Sequence, residues 1–386
     1  MLKQPLAIYI HWPFCKSKCP YCDFNSHVAK EALTQQQWLD AYLNNIHSFA
    51  SVIRQHHITS IFFGGGTPSL MPAETVHSII TAIDKLSPLK NCEITLETNP
   101  TSFEKDKFLA FHSAGVNRIS IGVQSFKEDH LRFLGRQHSA YEAIKTIEAA
   151  DQIFSNYSID LMYVLPNHTA ESWTEELVSA LGYAKHHISL YQLTIEKGTE
   201  FFKLHQNKSF SLPNEDVATT LYTLTNEILN DHGFEDYEVS NYARLNKESR
   251  HNLSYWQYRQ YLGLGPGAHS RIWLSNQMQA ITMLHRPDKW LEDIQQNNKQ
   301  GIQNMQVLTI QDIAKEFLLM GLRLKDGISF NDFKKRFKVD LSAFVSLEKI
   351  LEFQKYQLVQ FNNDRLMLTS RGRLLLNYIL EGIVNT

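Results

Sequence analysis

In the first half of the chain, six short runs rich in Ile, Val, Leu, Phe and Tyr alternate with longer stretches of helical spacing. No other feature restricts the fold as much. The runs lie at residues 6–11, 58–63, 92–97, 118–123, 158–164 and 188–194. Their length and their β-branched and aromatic content suit buried strands. Between them, residues 34–53 carry Trp38, Tyr42 and Ile46 at steps of four, and residues 73–86 carry Val76, Ile79, Ile80 and Ile83. Residues 103–114, 141–154 and 171–185 follow the same helical pattern. Strands joined by helical crossovers form a parallel sheet with right-handed connections. Six in succession predict an α/β fold built on a barrel or part of one, a (β/α)6 arrangement.

The polar and glycine-rich residues of this half fall at or just after the strand runs. Cys15, Cys19 and Cys22 follow the first, and Gly64-Gly65-Gly66-Thr67-Pro68 follows the second. Glu97 and Asn99 close the third, and Gln124 and Ser125 follow the fourth. In a β/α barrel those positions open onto the C-terminal face, where active sites are built. Four segments therefore agree on one face.

The spacing Cys15-x3-Cys19-x2-Cys22 offers three thiolates from one loop. A [4Fe–4S] cubane has four irons, each taking a terminal ligand, usually Cys. Three cysteines leave one iron open to a small chelating molecule. With the amino and carboxylate groups of S-adenosylmethionine (SAM) on that iron, an electron from the cluster can break the sulfonium bond and start radical chemistry. Spacing alone favours iron–sulfur over structural zinc, but a Cys3His zinc set with His11 or His27 stays open. One tight trio argues against a disulfide framework. Cys92, alone in an apolar-alternating segment, reads as a small buried hydrophobe. Tyr21 reads as core or as a surface for an adenine.

Charge narrows the partners. The chain has 386 residues, with 38 Lys and Arg against 40 Asp and Glu. A near-neutral protein has no general affinity for nucleic acid or an anionic membrane. No apolar run approaches the roughly 20 residues needed to span a bilayer. Residues 1–10 lack the long apolar core and cleavage site of a signal peptide. A cytoplasmic protein with no membrane span is expected, at most in peripheral contact with a membrane.

Further along, residues 216–230 read as a helix ended by Gly233, and residues 237–242 as a strand. Residues 251–270 are aromatic and glycine-rich, unusual for a plain linker. From about residue 310 the texture changes. Helical segments at 312–323, 331–337 and 341–355 precede a hairpin over 357–368, and a last helix at 371–380 is capped by Thr369 or Ser370. This outlines an α+β domain of winged-helix type. Its charges are mixed, Lys334-Lys335-Arg336 against Glu348 and Glu352, which favours a lid or docking role over DNA binding. The expected domains are 1–200 for the barrel core with the cysteine loop, 201–309 for a barrel extension, and 310–386 for the C-terminal domain.

Taken together, these segments resemble a known family. They are His11-Trp12-Pro13-Phe14-Cys15, Cys19-Pro20-Tyr21-Cys22-Asp23-Phe24, residues 64–68, Glu97-Thr98-Asn99-Pro100 and Ser120-Ile121-Gly122-Val123-Gln124-Ser125-Phe126. The family is that of radical SAM proteins resembling the oxygen-independent coproporphyrinogen III oxidases. The resemblance runs nearly the whole length and includes residues 366–380, LMLTSRGRLLLNYIL. Phe24 stands where the oxidases carry a further Cys. Only 14 residues precede Cys15, where the oxidases have an N-terminal extension. His251-Asn252-Leu253-Ser254-Tyr255-Trp256 matches the HNxxYW motif of the family's heme-chaperone branch.

The resemblance implies a partial (β/α)6 radical SAM barrel with its [4Fe–4S] cluster on Cys15, Cys19 and Cys22. It implies SAM contacts from Tyr9, Tyr21, Gly65, Gly66, Thr67 and Glu97, where glycines permit close backbone approach and Glu97 accepts from ribose hydroxyls. Gln124, Arg136, Asp160 and Thr194 match oxidase positions that contact a second SAM. Asp160 reads equally as a structural acceptor. His251, Asn252, Tyr255 and Trp256 are the implied heme-binding residues. By residue type alone His251 is a core histidine, and His269 is a weaker candidate. The implied function is a heme chaperone that binds heme, SAM and the cluster and passes heme to an acceptor protein. An electron donor for the cluster is implied as well, and oxidase activity is not expected. The alternative is the oxidase itself, which decarboxylates two propionates of coproporphyrinogen III. A zinc-stabilised interaction module is the third reading. One segment departs from the family: residues 160–169 read DLMYVLPNHT against the usual DLIYGLPGQT. Val164, Asn167 and His168 thus replace Gly, Gly and Gln, which predicts a less flexible loop.

Overall fold

The structure, a computed structural model, describes residues 3–28, 35–100, 105–296 and 299–384. The six expected strands are present: β1 (Gln4–Trp12), β2 (His56–Gly65), β3 (Glu93–Thr98), β4 (Arg118–Gln124), β5 (Asn156–Tyr163) and β6 (His187–Gln192). They pair in parallel in sequence order. Six further strands extend the sheet: β7 (Glu235–Asp236), β8 (Asn241–Ala243), β9 (Tyr261–Leu264), β10 (His269–Leu274), β11 (Gln277–Met283) and β12 (Ile302–Val307). The order across the twelve is β12-β11-β10-β9-β1-β2-β3-β4-β5-β6-β8-β7. β9 joins β1 in parallel, adding a seventh parallel strand beyond the expected six. The outer strands on both sides are antiparallel. The strand expected over 237–242 is instead two short strands flanking a turn.

Alternation sorts the strand residues between the two faces of the curved sheet. Ile61, Phe63, Leu96, Ile119, Ile121, Ile159 and Leu161 join the main core with helical residues such as Ile79, Ile83, Phe111, Ile147 and Trp173. The opposite set, Tyr9, Ser60, Phe62, Glu97, Arg118, Ser120, Asp160 and Ser189, faces the barrel interior. The crossover helices include Ala73–Leu86, Ala140–Ile153 and Ala170–Leu181. The last two begin with capping boxes, Ser139 with Glu142 and Thr169 with Ser172, which pair the first free backbone N–H groups. The expected helix over 34–53 is two helices, Gln35–Ser48 and Ala50–Gln55. Thr34 and Phe103, expected starts of the first and third helices, lie outside the described residues.

The C-terminal domain has its own core around Ile313, Phe317, Phe333, Phe337, Leu366 and Ile379. Helices Ile310–Gly321, Phe330–Phe337 and Leu347–Lys355 accompany a small sheet of β13 (Ile328–Ser329), β14 (Val359–Phe361) and β15 (Arg365–Leu368). The helix expected over 341–355 breaks because Val345 bridges to Val384 and Ser346 caps a fresh start, accepting from the Lys349 N–H at 3.2 Å. The helix expected over 371–380 is two, Ser370–Arg373 and Leu376–Ile383; Thr369 caps the first, and the second has no side-chain cap. Among the described residues, no helix is long and apolar enough to cross a membrane.

Candidate functional site

Parallel strands place all their C-terminal ends on one side, so the loops after β1 to β5 share one mouth. Cys15 ends a short extended segment, Phe14–Cys15, and Cys19 and Cys22 lie in the loop that follows. All three thiols are unpaired and half-buried, whereas Cys92 is buried in the main core. The loop is anchored at its far end: the His27 N–H donates to Pro13 O at 2.7 Å, and His11 Nε2 bonds to Asn25 O at 2.9 Å. Burial pulls the His11 imidazole down to about 4, so it is neutral at physiological pH. With both ring nitrogens engaged, at Asn25 O and the Tyr9 hydroxyl, His11 props the loop from within.

The glycine run after β2 lies directly beneath that loop. The Gly66 N–H donates to Trp12 O at 2.7 Å, and the Thr67 N–H to Phe14 O at 2.9 Å. A side chain at Gly66 would lie 3.0 Å from Cys15 Sγ and 2.7 Å from Phe14 O. Gly65 has φ +115°, and a Cβ there would meet His11 Nδ1 at 2.7 Å and Trp12 O at 2.8 Å. Glycine is thus required twice, for conformation and for space. Glu97, at the end of β3, accepts the Gly65 N–H at 3.2 Å.

Arg136 joins the mouth from the loop beyond β4. Its Nη2 donates to Asn99 Oδ1 at 2.6 Å and to Gly122 O at 2.7 Å, and its Nη1 stands 3.6 Å from Cys19 Sγ. Asn99 in turn donates to Thr67 Oγ1 at 3.1 Å. Cys19, Thr67, Asn99 and Arg136 line one cavity of about 230 Å³. Tyr21 is half-buried and packs towards Phe201, ring centroids 6.3 Å apart. Burial raises its phenol, so it stays neutral. Three adjacent thiols, a cradle without side chains and a cation against one thiol suit an anionic thiolate-held cluster with a small polar ligand beside it.

Deeper in the barrel, Asp160 on β5 accepts from Ser120 Oγ at 3.1 Å and from Ser158 Oγ at 3.3 Å. Burial raises its carboxyl, and these hydroxyls counter that only in part. Gln124 closes β4 with a left-handed φ of 67°. Thr194 is exposed, just past β6. Sequence reasoning missed Arg118, which is 2% exposed, has an unpartnered Nε and opens β4 on the inner face. A charged residue at the start of a strand buried on both faces was its only signal.

The 251–256 segment forms helix Arg250–Trp256, capped by Ser249. His251 packs inside the barrel, stacked 4.9 Å from Phe62. Its Nδ1 bonds to Ser60 Oγ at 2.9 Å and its Nε2 to the Tyr255 hydroxyl at 3.0 Å. Burial lowers its imidazole to about 3. Asn252 reaches the Tyr237 hydroxyl at 3.5 Å. Of the four motif side chains, Trp256 alone lines the large cleft between barrel and C-terminal domain, about 1260 Å³ in volume, with Trp273, Phe317, Arg259 and Arg336. His269 lies apart, at the start of β10 and exposed.

Residues 9–178 match the family model of the radical SAM superfamily, and residues 308–375 match that of the HemN C-terminal domain. A zebrafish (Danio rerio) protein named radical S-adenosyl methionine domain-containing protein 1, mitochondrial, is 36% identical over 98% of this chain and 86% of its own. The heme chaperone HemW of Haemophilus influenzae is 34% identical over 98% of this chain and 97% of its own. Coproporphyrinogen III oxidase (HemN) from Escherichia coli, a solved radical SAM enzyme, shares the fold with a TM-score of 0.83. That match covers 98% of this chain and 90% of the other at 21% identity.

Proposed function

This chain belongs to the radical SAM family of coproporphyrinogen III oxidase-like proteins that includes HemW, and from that premise we propose that it is a heme chaperone. The reading rests on one observation above the others: about one-third identity along nearly the full length of proteins named heme chaperones. In this reading Cys15, Cys19 and Cys22 hold the [4Fe–4S] cluster. Gly65, Gly66 and Thr67 present backbone to SAM, Glu97 takes the ribose hydroxyls, and Tyr9 and Tyr21 close the sides. The bound cluster and SAM would supply one-electron reduction and radical initiation, fed by an electron donor. Arg136 holds Asn99 and faces Cys19, keeping the loop closed over the cavity. Gln124, Asp160 and Thr194, with Arg136, are left to a second SAM, Asp160 lying deep in the barrel and Thr194 exposed at its rim.

Heme is placed at the 251–256 segment and passed from there to an acceptor protein. The bonds around His251 favour a supporting role: both ring nitrogens are taken, so axial ligation would require Ser60 or Tyr255 to let go. Trp256 at the cleft is the better placed to meet a porphyrin face, with Arg259 and Arg336 near enough to the same cleft for its propionates.

The test is an absorption titration of anaerobically reconstituted protein with heme, alongside Trp256→Ala and His251→Ala. Stoichiometric binding weakened by Trp256→Ala supports this placement. Absence of binding by the intact protein, with anaerobic formation of protoporphyrinogen from coproporphyrinogen III, replaces the chaperone by the oxidase.

A further inference from the structure

Outside the cysteine loop, three separate elements bring ligand atoms together. His130 lies on helix Glu128–Phe133, His168 in the turn after β5, and Glu176 on helix Ala170–Leu181. His130 Nδ1 is 3.3 Å from Glu176 Oε2 and 3.4 Å from His168 Nε2, which is itself 4.0 Å from that oxygen. Zinc takes nitrogen and oxygen ligands at roughly 2.0–2.2 Å in a tetrahedral arrangement, which separates ligand atoms by about 3.3–3.5 Å. Two of the three separations already meet that value.

The carboxylate is set for a cation. The Phe126 N–H donates to Glu176 Oε1 at 2.9 Å, and the Ser125 hydroxyl donates to the same oxygen. Oε2 has no hydrogen-bond donor in good geometry, and its nearest polar neighbour is His130 Nδ1 at 3.3 Å, although the side chain is 1% exposed. A buried carboxylate oxygen facing two imidazoles calls for a positive partner, and an ion shared with both rings supplies it. We propose that His130, His168 and Glu176 form a zinc site, its fourth position open on the side of His130. That ring is 19% exposed, which leaves a path for the ion and a water ligand.

Zinc at His168 Nε2 requires the ring proton on Nδ1. Among the described residues this disturbs the Leu165 N–H, 3.4 Å away, a long contact with little to lose, and the ion at His130 Nδ1 replaces that atom's 3.3 Å contact with the Ser125 hydroxyl. In return the ion ties the turn after β5 to two helices. That turn holds Val164 at φ 59° and Asn167 at φ 64°, and a left-handed backbone is least favourable for a β-branched residue. A three-point clamp fixes this turn, which directly follows the strand that carries Asp160. The site is chemically separate from the cysteine loop, since it contains no sulfur.

The experiment uses the full chain with its iron–sulfur cluster reconstituted under anaerobic conditions. Zinc, iron and sulfide are measured after equilibration with zinc and desalting, for the parent, His130→Ala and His168→Gln. His130 is 19% exposed and Gln is the family's usual residue at 168, so both variants should keep the fold, which circular dichroism checks. The parent should retain about one zinc per chain beyond its iron, both variants should lose at least tenfold in zinc affinity, and iron should be unchanged in all three. Cobalt in place of zinc should give a spectrum without thiolate charge-transfer bands. The proposal falls if the parent retains no zinc, if both variants bind as the parent does, or if cobalt reports thiolate ligands.

Discussion

Gly65 donates its backbone N–H to Glu97 Oε2 across 3.2 Å, tying the glycine run after β2 to the end of β3. The bond fixes one carboxylate oxygen and leaves the other to a ligand at the mouth. Glu97→Gln keeps the size of the group and replaces one carboxyl oxygen by an amide nitrogen that cannot accept a hydrogen bond. SAM affinity of the cluster-loaded protein should fall about tenfold, or ~1.4 kcal/mol, with iron content unchanged. Equilibrium dialysis measures it, and an unchanged affinity would remove Glu97 from the SAM site.

The same carboxyl gives stability a pH dependence. Burial, helped by the charge of Asp160, raises Glu97 from 4.5 to about 8, against the pull of the Gly65 N–H. Between those two pH values the folded chain holds a proton that the unfolded chain has released. The unfolded state then binds fewer protons, so this residue makes stability fall as pH rises. The ligand-free Glu97→Gln variant should therefore lose less Tm than the parent between pH 5 and pH 8. Parallel melting curves would contradict the assignment.

Arg136 makes three contacts that a single ammonium cannot reproduce: Asn99, Gly122 O and Cys19 Sγ. Arg136→Lys keeps the charge and loses the fork. The cluster should be stripped by a chelator roughly tenfold faster, equivalent to ~1.4 kcal/mol of barrier. Loss of the cluster's visible absorption follows this directly. Equal rates would show that charge alone serves Cys19.

The strands that form the mouth were legible because core residues alternate with small or polar ones that face the interior, as Ile119, Ile121 and Val123 do between Arg118, Ser120 and Gly122. The motifs were legible because each sits at a strand's end. β9 was not, since Tyr-Leu-Gly-Leu is four residues long and pairs with β1 across more than 250 residues of sequence. The cluster of His130, His168 and Glu176 was also hidden. Its members are 38 and 8 residues apart, and only the barrel's crossover brings them together. His168 stood out solely as a departure from the family's usual Gln. Val164 and Asn167, where the family usually has Gly, both take left-handed backbone, a conformation that costs more without glycine.

Arg323 is one of several ties, with Glu316 to Arg271 and Arg373 to Asp236, that dock the C-terminal domain. Arg323 Nη2 bonds at 3.0 Å to Glu238, whose side chain is 0% exposed, and its guanidinium lies 4.5 Å over the ring of Trp256. Glu238 also accepts from the Ser240 N–H at 2.9 Å and from Asn241 Nδ2 at 2.6 Å, so it is fixed in place. Removing one partner of a buried pair strands the other charge, at a cost of about 3 kcal/mol or more. Arg323→Ala should be destabilised by about that much in urea. Arg323→Ala with Glu238→Gln should recover part of the loss, because no charge is left buried alone. Both variants also free Trp256 from its cation, so its fluorescence should change equally in the two. If the double variant is no more stable than the single, the loss lies in packing against Trp256 and not in the stranded carboxylate.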